Sequence, residues 1–302
     1  MSAKKIITVF GATGAQGGGV VDTFQSDPKL RDEWVVRAAT RDTSKDSAKK
    51  LASAGVEVVF ADLDDKASLV SAMKGSYAAF GVTNYWERAS ADVEIQQGRN
   101  LADAAKEAGV QHYIWSSLLN IKELSGGELP NVYHFDSKAT VAGYIRESED
   151  GFLKQVPPDN NFALAFPVAP NAIVPVFHPA DTGKYIKAIV HNRDALPGNR
   201  FLGATAYITA AEVLEGFKRV FPEAGKTARY FQMSEQMFRD YLEAKGTPDC
   251  IITELYENMK LLETFGYYGG EPLDTTAKLV EDHLTTWEEY ARNVAPGFRS
   301  CT

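Results

Sequence analysis

The run Phe10-Gly11-Ala12-Thr13-Gly14-Ala15-Gln16-Gly17 stands where a strand-like apolar stretch, residues 5–10, ends and an amphipathic stretch, residues 17–26, begins. That junction limits the fold more than any other feature of the chain. At a first strand-to-helix turn, Gly11 permits the tight turn, Gly14 lets the backbone approach a pyrophosphate, and Gly17 lets the helix pack closely on the strand. The helix amino end supplies unpaired N–H groups and a dipole that favours phosphate. A glycine loop of purely structural use is the competing reading, and the position in the first βα turn weighs against it. Gly11, Ala12, Thr13, Gly14, Ala15, Gln16 and Gly17 are therefore expected to hold the phosphates of a dinucleotide.

The rest of the first half repeats the same strand-to-helix alternation. Short β-branched or aromatic runs at 5–10, 35–40, 56–60, 77–83 and 112–116 alternate with helical patterns near 17–26, 44–54, 66–73, 92–108 and 131–148. The runs are mostly apolar, as in parallel strands buried on both faces. The fold class expected is α/β, a Rossmann-type doubly wound parallel sheet over residues 1–150. Beyond it, Pro157, Pro158, Pro167, Pro170, Pro175, Pro179 and Pro197 break the chain into short pieces. A strand-helix-strand pattern returns at 201–209, 210–221 and 228–233, and helices follow, the last near 285–293. Residues 151–302 are expected to form a smaller mixed α/β lobe for substrate or partner, with some elements returning to the first sheet.

At 302 residues and 44% hydrophobic content the chain has the material for a sizeable core. The net charge of -8 argues against direct nucleic-acid binding, which rests on clustered Lys and Arg, so a role in transcription would run through protein partners. No stretch approaches the ~18 apolar residues of a membrane span, and Met1 leads almost directly into a strand pattern without a signal peptide. A cytoplasmic protein is expected, with the nucleus also open. Cys250 and Cys301 have no metal-ligand spacing, the histidines none either, and no metal is expected.

Which nicotinamide dinucleotide binds is decided after the second strand, at Arg41-Asp42-Thr43-Ser44-Lys45. Arg41 can stack on adenine and fork onto a 2'-phosphate, and Lys45 can add a second charge. Asp42 is the counter-argument, since an acid there serves the ribose of NAD. The two bases favour NADP(H). After the third strand Asp62 is a candidate acceptor for the adenine amino group, or equally a helix cap.

Short-chain dehydrogenases carry Tyr and Lys at i and i+4 of one helix near the nicotinamide. Here Tyr133-His134-Phe135-Asp136-Ser137-Lys138 puts His134 four before Lys138, with Tyr133 about 100° away around the helix. At this point the chain resembles the NmrA-like family of atypical short-chain dehydrogenase relatives, regulators and redox sensors among them. The resemblance rests on residues 11–18, Val82-Thr83-Asn84-Tyr85-Trp86-Glu87, Leu101-Ala-Asp-Ala-Ala, the Ser116 strand end, residues 134–138 and Thr286-Trp287-Glu-Glu-Tyr290. It implies a pyrophosphate on Gly11 to Gln16, a 2'-phosphate on Arg41 and Lys45, the adenosine-side ribose region at Val82, Thr83 and Asn84, and the nicotinamide ribose on Lys138. A family lysine is replaced by Gln96, which implies weaker NADP affinity. It also implies a sixth parallel strand after the Lys138 helix. Residues 145–152 lead almost at once to Pro157, so either the strand is absent or two pieces of a longer chain are joined here; the cost of an open edge in mid-sheet favours the second.

Two functions of different classes fit. One is an NADP(H)-responsive regulator acting through a protein partner or a second copy, favoured by the missing tyrosine. The other is an NADP(H)-dependent reductase of a small carbonyl, enone or secondary-metabolite substrate. In it Lys138 is acid or ribose holder, and His134 or Ser116 polarises the carbonyl. For His134 a helix-surface position without a role competes, and for Ser116 a hydroxyl capping the next turn.

Overall fold

The computed structural model describes residues 4–145, 163–193 and 200–298. β1 (Lys5–Val9), β2 (Trp34–Thr40), β3 (Glu57–Phe60), β4 (Ala78–Gly81) and β5 (His112–Trp115) make one parallel sheet in the order β3-β2-β1-β4-β5. The chain builds outward from β1 to β3 and then jumps back across β1 to β4. Strand order reverses there, which opens a crevice beyond the carboxyl ends of β1 and β4. β4 ends earlier than its apolar run, because residues 82–87 leave the sheet to line that crevice.

The sheet is buried on both faces, and neighbouring residues show it. Ala38, Ala78 and Ile114 face one core with Val20, Val21 and Phe24 of α1 (Ala15–Ser26). Ala39, Ala79 and Trp115 face the other, against Leu69 and Met73 of α4 (Lys66–Met73) and Leu101, Ala104 and Ala105 of α5 (Ala91–Glu107). The short α2 (Pro28–Glu33) is capped by the Asp27 side chain on the Leu30 N–H, and α3 (Asp46–Ser53) follows β2. α6 (Ile121–Leu124) leads to α7 (Tyr133–Ile145), which lies so close to α5 that a Cβ at Gly98 would meet the Val141 side chain. That closeness brings polar groups of α5 and α7 within reach of each other.

The second half makes two small sheets. β6 (Ala163–Phe166) pairs in parallel with β9 (Arg229–Gln232), and β7 (Ile173–Val176) pairs antiparallel with β8 (Ala206–Thr209). α8 (Thr182–His191) packs on α1, and Ile186 joins the first core. α9 (Ala210–Val220) starts in a capping box of Thr209 and Glu212. α10 (Pro222–Gly225), α11 (Glu235–Glu243), α12 (Asp249–Thr264), α13 (Asp274–Ala277) and α14 (Trp287–Phe298) complete the chain. Of the run 201–209 only its end forms a strand, and its partner β7 was not picked out. The position of the expected or missing sixth strand, near residues 148–152, lies outside the described residues, as do Pro157, Pro158, Pro197 and Cys301. Cys250 is exposed and free. Among the described residues no helix is long and apolar enough to cross a membrane.

Candidate dinucleotide and active site

The glycine loop has the geometry its spacing requires. Gly11 sits at φ +63, which L side chains rarely adopt. Gly14 is the N-cap of α1 and donates its N–H to the Gly11 carbonyl at 2.8 Å. A Cβ at Gly17 would stand 2.7 Å from the Phe10 carbonyl oxygen and nearer still to that of Gly11. No side chain larger than hydrogen fits that contact, so Gly17 lets α1 pack closely on the end of β1. Ser116 Oγ donates to Gln16 Oε1 at 2.8 Å, tying the end of β5 to the first turn of α1. Ser116 is thus not a cap of its own next turn; it spans the crevice.

Arg41 directly follows β2. Its guanidinium forks onto Glu87, with Nη1 donating to Oε1 at 2.6 Å and Nη2 to Oε2 at 3.0 Å. Glu87 belongs to the 3-10 turn Tyr85–Glu87 after β4, so the pair reaches across the loop that follows β1. Lys45 is exposed at the N-cap of α3. The Asp42 carboxylate accepts from the Ser44 N–H and hydroxyl, which hold it below the usual carboxylate range. Asp62 does not cap α4: that role belongs to Asp65, while Asp62 Oδ1 accepts from the Asp64 N–H in a local turn. Val82 is half-buried against Gly11, Thr83 is buried, and Asn84 precedes the 3-10 turn without a side-chain cap bond.

Around His134 and Lys138 lie two buried carboxylates, Glu94 and Glu254, neither of them singled out from the sequence. Glu94 on α5 accepts from Thr83 Oγ1 at 2.7 Å and Ser137 Oγ at 2.6 Å, and pairs with the Lys138 ammonium. Lys138 Nζ also reaches Thr83 Oγ1 at 3.2 Å, and the residue is 7% exposed. The lysine is therefore a buried ion-pair partner as well as a candidate ribose holder. Glu254 on α12 is 0% exposed. Its Oε1 accepts from the His134 backbone N–H at 2.7 Å and contacts His134 Nδ1 at 2.6 Å, and its Oε2 accepts from the Tyr85 hydroxyl at 2.9 Å. Burial and the Glu254 charge push the Tyr85 phenol well above its ordinary value, so it stays a donor.

His134 is thus no helix-surface histidine; it is 7% exposed, and its ring lies 4.9 Å from that of Trp86 at a tilt of 47°, with Trp86 itself 40% exposed. No hydrogen bond joins its Nε2 to any described residue. With Nδ1–H held by a carboxylate, the neutral ring offers Nε2 as a proton acceptor and the protonated ring offers it as a donor. Both carboxylates had a signal in the sequence. Glu94, Gly98, Leu101 and Ala105 lie on one helix face, as do Glu254, Asn258 and Leu261, so each acid falls on a buried stripe.

Asp136, between these residues on α7, accepts from the Ile121 and Lys122 N–H groups, yet burial pushes its carboxyl up to about 6. The fold then favours the protonated form. Its stabilising contribution is complete below about pH 4 and lost as pH rises through 6. Asp136→Asn, neutral at every pH with an acceptor oxygen kept, is expected to raise stability at pH 8 by about 2 kcal/mol. The gain should vanish below pH 4. Thermal unfolding at both pH values checks it, and an equal shift at the two would contradict this account.

A doubly wound parallel sheet with a glycine loop at its switch point defines a Rossmann-type α/β protein. The chain belongs to the NmrA-like family, whose model matches residues 3–291. It is 36% identical over 150 residues to the NmrA-like family domain-containing oxidoreductase hkm9 of Aspergillus hancockii, over 49% of this chain and 43% of that one. With malD of Malbranchea aurantiaca, of the same description, it shares 38% over 152 residues, 48% of this chain and 44% of the relative. The chain thus spans less than half the length of these curated relatives. Its fold superposes on the negative transcriptional regulator NmrA in complex with NADP, at a TM-score of 0.77 and 22% identity over 99% of this chain and 98% of that one. It also superposes on the NADPH-dependent quinone oxidoreductase QOR2 of Escherichia coli, at a TM-score of 0.68 and 20% identity over 95% and 99%.

Proposed function

We propose that the chain binds NADP(H) across the carboxyl ends of β2, β1 and β4 and acts as a reductase of a small carbonyl, enone or quinone-like molecule. Residues 11–17 hold the pyrophosphate, Arg41 and Lys45 the 2'-phosphate, and Asp62 the adenine edge. Val82, Thr83 and Asn84 line the adenosine-side ribose, and Lys138 meets the nicotinamide ribose. When bound, the reduced nicotinamide supplies a hydride; the chain's task is to deliver the matching proton to the substrate oxygen. One observation carries the catalytic part of this reading. His134, in the place of the usual tyrosine, is anchored through Nδ1 on the buried Glu254 carboxylate, while Nε2 is left for substrate. Relatives described as oxidoreductases support the reading.

A second reading, a regulator that reports cofactor occupancy to a protein partner or a second copy, has its own support. Glu254 belongs to α12 in the second half, yet it holds both Tyr85 and His134, so a shift of either side chain is felt by α12. The net charge of -8 suits a protein partner better than a nucleic acid.

The test has two arms. NADPH is expected to bind more tightly than NADH by fluorescence titration, and Arg41→Ala should remove most of the preference; equal affinities before mutation would sink the NADP assignment. Purified protein is then given NADPH with ketones, enones and quinones. Turnover that His134→Gln abolishes while NADPH still binds speaks for the reductase. NADPH binding without consumption across the panel moves the function to the regulator.

A further inference from the structure

The 2'-phosphate reading leaves Glu87 without a role, although Glu87 takes both terminal nitrogens of Arg41. Those are the same donors a phosphate oxygen pair uses in fork geometry. The surroundings deepen the conflict. Arg88, the next residue, donates to Asp64 Oδ2 at 2.6 Å, and Gln97 donates to Asp64 Oδ1 at 2.9 Å, so the turn carrying Glu87 is fastened to the loop after β3 as well. The chain leaves this turn through Ala89 at φ +44, a left-handed conformation costly for alanine. Glu87 is therefore held at Arg41 by neighbours on both sides, and the Arg41 side chain is 52% exposed.

We propose that Glu87 is the residue that sets how strongly this site discriminates NADP(H) from NAD(H), by competing with the 2'-phosphate for Arg41. The inference rests on the assignment of the 2'-phosphate to Arg41. With NAD(H) no competitor enters, the Arg41–Glu87 pair stays closed, and affinity is untouched by it. With NADP(H) a group carrying about -1.5 to -2 charges must displace the carboxylate from the Arg41 guanidinium, which lowers affinity. Glu87 thus works against the preference that Arg41 creates.

Glu87→Gln keeps the shape and removes the charge. In fluorescence titrations at low salt it is expected to tighten NADPH and NADP+ by about two- to fivefold, with NADH and NAD+ unchanged. In an Arg41→Ala background the same substitution should have no effect on any of the four. Weaker NADPH binding by Glu87→Gln would overturn the inference, because Glu87 would then be pre-orienting Arg41 for the phosphate. An unchanged NADPH affinity, or an equal gain with and without Arg41, would overturn it too. If Arg41→Ala alone leaves the NADPH preference of the parent protein intact, the phosphate assignment fails and this inference falls with it. If Arg41→Ala removes the preference and Glu87→Gln does nothing, the assignment stands and only the role of Glu87 is lost.

Discussion

Lys138→Ala is expected to lower the unfolding free energy by about 3–5 kcal/mol, a large share of the stability of an ordinary domain. The substitution leaves Glu94 buried at the centre of the α5–α7 contact, still accepting from Thr83 and Ser137 but without its cation. An uncompensated buried carboxylate is far more costly than the pair is stabilising. The lysine's main-chain carbonyl, which accepts from Ser117 Oγ at 2.8 Å, is unaffected, so the cost arises at the charge. The double variant Lys138→Met with Glu94→Gln removes both charges and should recover most of the loss. Urea unfolding of parent, single and double variants measures it; a single variant within 1 kcal/mol of the parent would mean that water reaches the pair. The consequence for function is direct. Loss of turnover in Lys138→Ala alone does not identify a catalytic lysine, because the same loss follows from a loosened α7; the double variant separates the two.

The parallel sheet was legible because each strand is an apolar run between turn signals and each is followed by a helix pattern. Every strand has a boundary that moved by one residue, and the largest shift is at the carboxyl end of β4, where Val82 and Thr83 leave the ladder. β6 and β7 were not legible. At four residues each they carry too little pattern, and the prolines around them, Pro167, Pro170 and Pro175, mark breaks more strongly than those runs mark strands. α2 had a signal that went unused, Asp27 followed by Pro28 at the first helical position.

At the site the sequence showed which residues are local to the loops and hid the contacts made over long separations. Glycine spacing, the bases after β2 and the displaced tyrosine are all read within a few residues. The partners that decide what those residues do come from far away: Glu87 is 46 positions from Arg41, Glu94 is 44 from Lys138, and Glu254 is 120 from His134. Each partner is an acid, and only the buried stripe around two of them set those two apart from a solvated charge. That is also why His134 read as well as a surface histidine as a functional one.

Glu254→Ala is the second change with a large expected effect, about 3–5 kcal/mol of destabilisation. It leaves the His134 backbone N–H, the His134 ring and the Tyr85 hydroxyl without their acceptor, and each buried donor left unpaired costs about 1–3 kcal/mol, less than additively. The Glu254→Gln variant distinguishes architecture from chemistry. Its amide oxygen still accepts from the His134 N–H, so the fold should lose only about 1–2 kcal/mol, the difference between charged and neutral acceptors. What it removes is the carboxylate that holds a proton on Nδ1 and stabilises positive charge on the ring. If His134 delivers a proton, turnover of NADPH with the accepted substrate should fall at least tenfold in Glu254→Gln, while NADPH affinity stays near the parent value and stability falls by no more than about 1–2 kcal/mol. If Glu254 only fastens α12 to the crevice, turnover should follow stability across the two variants, and Glu254→Gln should be nearly as active as the parent. The contrast between rate and stability, measured on the same two proteins, assigns the carboxylate to catalysis or to architecture alone.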